Sequence, residues 1–310
     1  MQLSDFVRTV GQEWMRRYRG RVGKLSLSAG FTCPNRDGTV GRGGCSFCSV
    51  SSFSGARETS VSDQIRAQKD QGSDFYFAYF QAYTSTYGEV ESLKKLYDEA
   101  LSHESVIGLS VGTRPDCISD ECLDLLSSYQ DAGSHVIVEL GLQSIHDRTL
   151  RLINRGHDAG CYRDSARRIL VRGLELCTHL IVGLPGESLD DNLISLEAAL
   201  ESGSHGLKLH PLHIVRGSRM ASDYRRGEIR LLSRDEYVAR AGEMIARTPS
   251  RIVYHRVSAT AMDGTLIAPE YCRRKFEIID SLTNYLARYG VQGSAVGDPY
   301  VPEELTKTDV

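Results

Sequence analysis

The feature of this 310-residue chain that most constrains its fold is an alternation of short apolar runs with longer amphipathic segments. The runs are rich in Val, Ile, Leu or Phe, and the alternation repeats about every 30 residues. Six runs fit β-strands, at residues 24–28, 75–80, 106–111, 135–142, 176–184 and 206–212. The segments that fit helices span 62–71, 90–102, 119–132, 145–172 with a break near 155–160, 189–201 and 234–247.

Six βα units predict an α/β fold with a parallel sheet and right-handed crossovers, either an open doubly wound sheet or a barrel. We find no internal repeat, low-complexity segment or long linker. The sequence therefore predicts one domain, with an N-terminal helical segment at 1–23, a core at 24–250 and a C-terminal extension at 251–310.

Composition limits the compartment and the partners. No segment has the roughly 20 apolar residues that span a bilayer, and no leader pattern opens the chain, so we expect a cytoplasmic protein without a membrane partner. Eight cysteines are too few for a disulfide scaffold in a chain of this length. The net charge of −3 gives no overall basic field, and the basic patches at 16–24 and 272–275 are, taken alone, typical of solvated surface charge.

Polar motifs follow the predicted strands at the point where each strand ends. They are FQAYT, GTRPD, GLQS, GLPGE and HPLH. Ligands bind at the carboxyl edge of a parallel sheet, whereas each motif alone would also fit a turn or a helix start. Because all five motifs fall at the same edge of the predicted sheet, we expect an active site there.

Three cysteines follow the first strand in a glycine-rich loop, FTCPNRDGTVGRGGCSFCS, as Cys33, Cys45 and Cys48. A structural zinc site uses four ligands, and no fourth is visible nearby. A 4Fe-4S cluster held by three thiolates would leave one iron open for a substrate or cofactor. The other cysteines are interpreted as packed or incidental: Cys117, Cys122, Cys161, Cys177 and Cys272.

Together these motifs resemble the radical S-adenosylmethionine (SAM) enzymes, over about residues 6–290. The usual gaps between the cysteines of that superfamily are three and two residues, whereas here they are eleven and two. The order of GFTCPNRDGTVGRGGCSFCS, AYFQAYTSTY, GLSVGTRPDC, VELGLQSIHDRTLRLINRGHD, THLIVGLPGE and LKLHPLHIVRGS resembles a bacterial subgroup with the long first gap. More distantly it is similar to the radical domain of the Elongator catalytic subunit and to oxygen-independent coproporphyrinogen oxidases.

The resemblance implies a partial (β/α)6 TIM-like barrel with a 4Fe-4S cluster at its mouth. Cys33, Cys45 and Cys48 would be the iron ligands, and SAM would chelate the open iron. An electron from a donor such as flavodoxin or ferredoxin would cleave SAM to methionine and a 5'-deoxyadenosyl radical, which abstracts hydrogen from a substrate.

The resemblance also assigns cofactor contacts. Phe47 would pack by the adenine, and the backbone of GLPGE, with Gly183 and Pro185, would approach it. Gln143 and Arg155 match positions near the ribose and the methionine carboxylate. The turn at Gln81 replaces the glycine-rich motif that usually receives the amino group. Gly112 stands where many relatives carry an acidic ribose ligand, so Glu139 would either replace that carboxylate or be a buried salt-bridge partner.

The substrate-facing predictions concern the sixth strand. Lys208 and His210, with His213, point by alternation toward one face and are our catalytic candidates, although a structural role is the alternative. The tyrosines at 79, 83 and 87 would stack a base or pack the barrel.

The segment 208–237 resembles the Elongator radical domain, a family that modifies the wobble uridine of tRNA. The five arginines between Arg216 and Arg230, with Arg16, Arg17, Arg19 and Arg21, would then track a phosphate backbone. A tRNA base is thus the predicted substrate. The alternatives are a small molecule, or a non-catalytic iron-sulfur protein that transfers electrons or senses redox state.

Overall fold

A seven-stranded sheet forms the centre of the molecule, which is described here by a computed structural model covering residues 1–49, 59–69, 72–261 and 264–302. The strand order is β1-β2-β3-β4-β5-β6-β8, and every neighbouring pair is parallel. The strands are β1 (Val22–Leu27), β2 (Phe75–Phe80), β3 (Val106–Thr113), β4 (His135–Gln143), β5 (Glu175–Val182), β6 (Gly206–Pro211) and β8 (Val253–Arg256). A separate antiparallel ribbon pairs β7 (Ile214–Val215) with β9 (Leu266–Ala268).

Helices connect the strands and cover the outside of the sheet. They are α1 (Val10–Tyr18), α2 (Pro34–Asp37), α3 (Val61–Gln68), α4 (Val90–Leu101), α5 (Asp120–Asp131), α6 (Asp147–Leu152), α7 (Ala159–Val171), α8 (Leu189–Glu201), α9 (Arg219–Arg225), α10 (Arg234–Ala246) and α11 (Lys275–Tyr289). Side-chain caps fix several starts, because Ser119, Asp158 and Ser188 each accept a hydrogen bond from a backbone amide of the first turn. No helix in the described ranges has the length and apolarity needed to cross a bilayer.

The sheet curls into a partial barrel. In a flat sheet β2 and β6, four strands apart, would be separated by about 19 Å. Instead the Lys208 Nζ atom on β6 lies 3.0 Å from the Tyr79 hydroxyl on β2, and Lys24 on β1 lies 2.8 Å from Glu139 on β4. The predicted barrel-type α/β fold is therefore confirmed.

The sequence prediction counted six strands, and the structure adds a seventh, β8. Its register pairs Lys208 with Arg256 beside β6. The run is four residues long and ends in His255 and Arg256, which is why its apolar pattern is too weak to count as a strand. The predicted break in 145–172 is also found, between α6 and α7.

Side chains inside the barrel form layers, because alternate residues of each strand face inward. The lowest layer is apolar, and Trp14 from α1 closes it by stacking on Phe77 with ring centroids 4.5 Å apart. The layer above is polar and contains Glu139 and Lys208. At the top, Gly112 and Gly141 carry no side chain, and a cavity is left at the carboxyl ends of the strands.

Candidate active site

The cavity at the barrel mouth collects most of the predicted site residues. Nine of them line it: Cys33, Cys45, Phe47, Cys48, Gln81, Glu139, Gln143, Arg155 and His210. They come from the cysteine loop, from β4, from the ends of β2 and β6, and from the turn between α6 and α7, so residues distant in sequence share one cavity.

The cysteine loop is fixed by hydrogen bonds to the turn between α6 and α7. Asn35 donates its amide to the Asn154 carbonyl at 2.6 Å, and Asn154 donates to the Gly44 carbonyl at 2.8 Å. Gly44 has a φ of +78°, and a Cβ there would lie 2.8 Å from the Arg36 Nε atom. The long gap after Cys33 therefore contains α2 and a tight glycine turn that returns the chain to Cys45.

Two guanidinium groups surround the Cys45 sulfur. Arg155 donates to the Cys45 Sγ atom at 3.3 Å and Arg114 donates to it at 3.6 Å. Burial would raise the pKa of this thiol, but the two positive charges outweigh burial and lower it. Burial and the neighbouring cysteine raise the pKa of Cys48. Cys45 is thus the cysteine most stabilised as a thiolate by protein charges.

The donor set fits a cluster better than a single metal ion. All eight cysteines are free thiols, and the three of the loop border one cavity. Within the part of the chain that the structure describes, no three His, Cys, Asp or Glu side chains converge as a mononuclear site requires. In a 4Fe-4S cluster each thiolate binds a different iron, so the sulfurs surround the cavity and need not meet at a point.

Arg155 is held in place by the end of β4. Its Nη2 atom donates to the Gly141 carbonyl at 2.7 Å, and its buried Nε atom has no partner in the described structure. A Cβ on Gly141 would lie 2.8 Å from that Nη2 and 2.7 Å from the Gln143 amide. Gln143 itself has a φ of +71°, a conformation unusual for a residue with a side chain. The backbone at the end of β4 therefore leaves the space that the Arg155 and Gln143 side chains occupy.

Glu139 lies at the bottom of the cavity in a network of donors. Its carboxylate accepts from Lys24 at 2.8 Å, Ser110 at 2.7 Å and His179 at 2.9 Å, and from Lys208. Burial would raise its pKa, but Lys208 and Lys24 hold the pKa well below the usual range. Four protein donors occupy its acceptor sites, which is the arrangement of the buried salt-bridge alternative.

Three histidines face the cavity near β5 and β6: His179, His210 and His213. Burial lowers the pKa of each, to about 4 for His179 and well below the usual range for His210. All three are therefore neutral at pH 7. Lys208 does not line the cavity but lies beneath it, between Glu139 and the Tyr79 ring.

Comparison with known proteins identifies the family. The model of the Radical SAM superfamily matches residues 33–198, and that of the Radical_SAM C-terminal domain matches residues 204–288. The chain belongs to the radical SAM superfamily. It is 48% identical to Protein YhcC of Escherichia coli over 306 residues, which cover 97% of this chain and 99% of that protein. It is 35% identical to YtqA of Bacillus subtilis, over 87% and 86% of the two chains.

More distant similarity extends to the Elongator proteins. Elongator complex protein 3 of Schizosaccharomyces pombe is 23% identical over 159 residues, which cover 50% of this chain and 28% of that protein. The solved structure of Elp3 from Methanocaldococcus infernus has a TM-score of 0.64 at 18% identity, covering 87% of this chain and 64% of that one. This last likeness concerns the fold.

As a radical SAM protein the chain uses a 4Fe-4S cluster and SAM as cofactors. The cavity-lining cysteines and the cationic surroundings of Cys45 suit the cluster. Two of the predicted SAM contacts do not line the cavity and stay a prediction. Neither Gly183 nor Pro185 is among the residues that line the cavity, and a Cβ on Gly183 would meet Leu232 at 2.8 Å.

The three tyrosines that the sequence singled out lie in different parts of the barrel. Tyr79 and Tyr83 line the cavity, and Tyr79 packs between the ammonium groups of Lys24 and Lys208, at 4.8 and 4.6 Å from its ring. Tyr87 does not line the cavity, and its hydroxyl donates to Thr39 at 3.1 Å.

Sequence reasoning missed several residues of the site. Arg114 belongs to the GTRPD motif that marked a strand end, yet its contact with Cys45 depends on where the loop lies. Arg36, which donates to the Cys48 carbonyl at 2.9 Å, lies within the predicted ligand loop. His179 could have been found by alternation along β5, since it precedes the inward-facing Ile181 by two residues.

The remaining cysteines are structural neighbours of the radical SAM core. Cys122 and Cys272 are buried, and burial raises the pKa of both thiols to about 12. Cys117 and Cys177 are also buried, whereas Cys161 is partly exposed. None of the five lines the cavity, in agreement with their interpretation as packed residues.

Proposed function

We propose that this chain binds SAM over a cluster held by Cys33, Cys45 and Cys48 and uses it to start radical chemistry on a tRNA base, with the wobble uridine favoured. When bound, the cluster supplies the electron that cleaves SAM to methionine and the hydrogen-abstracting 5'-deoxyadenosyl radical. Arg155 and Arg114 would stabilise the Cys45 thiolate, and the barrel walls would exclude water.

The observation that carries the enzymatic proposal is the position of Arg155. Its guanidinium lies at the cavity rim between the Cys45 sulfur and the end of β4, with one buried nitrogen, Nε, unpartnered. A group placed there can reach a carboxylate of a ligand that also sits beside the cysteines.

The test of this activity is 5'-deoxyadenosine formation. Anaerobically reconstituted protein, given SAM and dithionite, is expected to release 5'-deoxyadenosine, measured by liquid chromatography with mass detection. Protein without dithionite and the Cys45→Ala variant are the controls. A cluster-loaded protein that never cleaves SAM would favour the alternative of an electron-transfer or redox-sensing protein.

The position of α9 supports a large substrate at the mouth. The Met220 amide at the start of this helix donates to the Ser46 carbonyl of the cysteine loop at 2.9 Å. Gly217, just before the helix, approaches Ser49 so closely that a Cβ would lie 3.2 Å from its hydroxyl oxygen. The arginine-rich segment after β6 therefore lies beside the cavity opening.

The arginines of this segment fall into two classes. Arg216, Arg219 and Arg225 are exposed, and their side chains have no hydrogen bond or ion pair within the described residues. Arg226 pairs with Asp223 and Glu228 at 2.7 and 2.6 Å, and Arg230 pairs with Glu236. The arginines of the first class are available to bind phosphates. The charge of each arginine in the second class is balanced by a neighbouring carboxylate.

The expectation that Arg16, Arg17, Arg19 and Arg21 join this surface is wrong. Arg21 immediately precedes β1, and Arg17 lines a hollow with His135 at the start of β4. These residues therefore lie at the amino ends of the strands, opposite the mouth. The parallel sheet separates the two basic patches by the length of the barrel.

The two classes of arginine give a matched experiment on tRNA binding. Replacing Arg216, Arg219 and Arg225 by Ala should make the salt dependence of tRNA affinity shallower by up to about 3 in log-log slope, since each phosphate contact contributes nearly one unit. The variants Arg226→Ala and Arg21→Ala should keep the wild-type slope. An unchanged slope in the triple variant would contradict RNA binding at this surface.

The base itself is identified by RNA mass spectrometry. A strain that lacks the gene should lose one modified tRNA nucleoside that its parent contains, and the missing nucleoside names the reaction. An identical nucleoside profile in both strains would favour the small-molecule alternative.

A further inference from the structure

The interior of the barrel carries an excess of positive charge one layer below the cavity. Lys24, Lys208 and Arg256 contribute three cations there, and Glu139 contributes one carboxylate. The other nearby carboxylate, Glu175, pairs with His135 at the amino end of the barrel. Charges away from bulk water are costly unless they are paired, so the excess calls for a counter-ion.

Arg256 is the unpaired member of this set. Lys24 and Lys208 both contact Glu139, whereas the Arg256 guanidinium has no hydrogen bond or ion pair within the described part of the chain. It is half-buried, and the register of β8 on β6 places it beside Lys208. Neighbouring residues in register project to the same face, so its side chain starts on the inner face of the sheet.

Apart from Glu139, which already pairs with both lysines, the groups around Arg256 supply no negative charge. Burial lowers the pKa values of His179, His210 and His213, and the positive charge of Arg256 lowers each further. Burial raises the pKa of Tyr79 well above its usual range, so its phenol is also neutral. All four side chains line the cavity, which makes the cavity the route by which an anion reaches Arg256.

We propose that His210, which lines the cavity, and Arg256, which lies beneath the lining beside Lys208, form an oxyanion site for a carboxylate or phosphate group of a substrate or co-substrate. Guanidinium is the side chain best suited to either group, since it offers two parallel N–H donors. The His210 ring has no hydrogen-bond partner in the described structure and can donate an N–H to the same group. The site rests on the proposed function and goes beyond it: a uridine base carries neither group, so the oxyanion belongs to a co-substrate bound with the base or to the substrate of the small-molecule alternative.

This oxyanion site is distinct from the place proposed for the methionine carboxylate. Arg155 contacts Cys45 at the cysteine side of the cavity, whereas Arg256 is on the last strand of the sheet, beyond β6. A single carboxylate of SAM therefore does not account for both arginines.

The test is equilibrium binding of small probes to cluster-reconstituted protein before SAM is added, followed by calorimetry. Acetate probes the carboxylate, inorganic phosphate probes the phosphate, and acetamide is the neutral match for acetate. Arg256→Met should weaken binding of the preferred oxyanion by about tenfold or more, as expected for loss of a charge-assisted hydrogen bond. Arg251→Met is the matched control, because Arg251 is exposed and precedes the same strand.

Thermal unfolding gives a second measurement of oxyanion binding, and this measurement does not depend on turnover. The preferred oxyanion should raise the wild-type Tm in a concentration-dependent way, and the increase should disappear in Arg256→Met. Without the probe this variant should be at least as stable as wild type, because it removes an unpaired charge.

Two results would overturn the proposal. One is equal binding of acetate, phosphate and acetamide, or of none of them, by the wild-type protein. The other is a loss of SAM affinity in Arg256→Met with unchanged oxyanion binding, which would assign Arg256 to the cofactor. Neither result depends on 5'-deoxyadenosine formation, so failure here is separable from failure of the radical activity.

Discussion

Cys45 differs from the other two cluster cysteines in what surrounds its sulfur. Arg155, Arg114 and Asn35 all direct N–H groups toward it, at 3.3, 3.6 and 3.7 Å. Hydrogen bonds and positive charge around a thiolate ligand tune the reduction potential of an iron-sulfur cluster. The protein thus treats its three ligand sulfurs unequally.

The ligand set is tested by single replacements. Changing Cys33, Cys45 or Cys48 to Ala should reduce bound iron and sulfide to background, because two thiolates do not hold a 4Fe-4S cluster. The matched controls Cys122→Ala and Cys177→Ala should retain wild-type iron, since neither lines the cavity. Equal iron loss in the control variants would mean that the ligands are wrongly assigned.

Replacing Glu139 by Gln should be among the most damaging single changes. The variant leaves the buried Lys208 and the partly buried Lys24 without a counter-charge, so the free energy of unfolding should fall by about 3–5 kcal/mol in urea titrations. The control is Glu13→Gln, which breaks a partly exposed pair with Arg8 and should cost about 1 kcal/mol or less. Similar small losses in both variants would show that the interior network is not stabilising.

At the scale of elements, the end of β4 links the sheet to the cofactor site. The register of β4 against β5 shifts between Gly141 and Gln143, and the same bulge orients Gln143 and supports Arg155. A bulge at the rim of a barrel re-aims side chains that a regular strand would direct elsewhere.

Gly141→Ala tests the link between strand end and site. The new Cβ would displace the Arg155 guanidinium, so SAM affinity of the cluster-loaded protein should fall about tenfold while the circular dichroism spectrum stays unchanged. Gly11→Ala, where a Cβ meets nothing within 4 Å, should bind SAM like wild type. Normal SAM affinity in Gly141→Ala would contradict a role for Arg155 in binding SAM.

The elements show what sequence patterning can predict. Long apolar strands such as β3 and β4 were placed to within a few residues because their runs are buried on both faces. Strand β8 was missed because only four residues carry the signal. The position of the site at the barrel mouth could be predicted from the direction of the strands. The contact of Arg114 with Cys45 could not, because it joins residues 69 positions apart in the sequence.

For the whole molecule, buried neutral histidines make stability depend on pH. Burial lowers the pKa of His157 and His179 to about 4 from the usual 6.5. Between these values the unfolded chain binds protons that the folded chain excludes, so stability must rise with pH across this window.

Urea titrations of metal-free protein between pH 4 and pH 7 check this expectation. His179 alone should contribute about 3 kcal/mol to the rise in the free energy of unfolding. His179→Gln, which can still donate to Glu139, should flatten the curve, whereas His103→Gln outside the barrel should not. A wild-type curve without a rise would contradict neutral buried histidines.

Among the described residues, Trp14 closes the amino end of the barrel, and the cavity opens at the opposite end. Because Trp14 stacks on Phe77 at the amino end, molecules enter and leave beside the cysteine loop. Whatever reaches the depth of Arg256 must arrive before, and depart after, anything seated nearer the cysteines. Steady-state kinetics of the turning-over enzyme should accordingly show a compulsory order, with the deepest-bound molecule first in and last out.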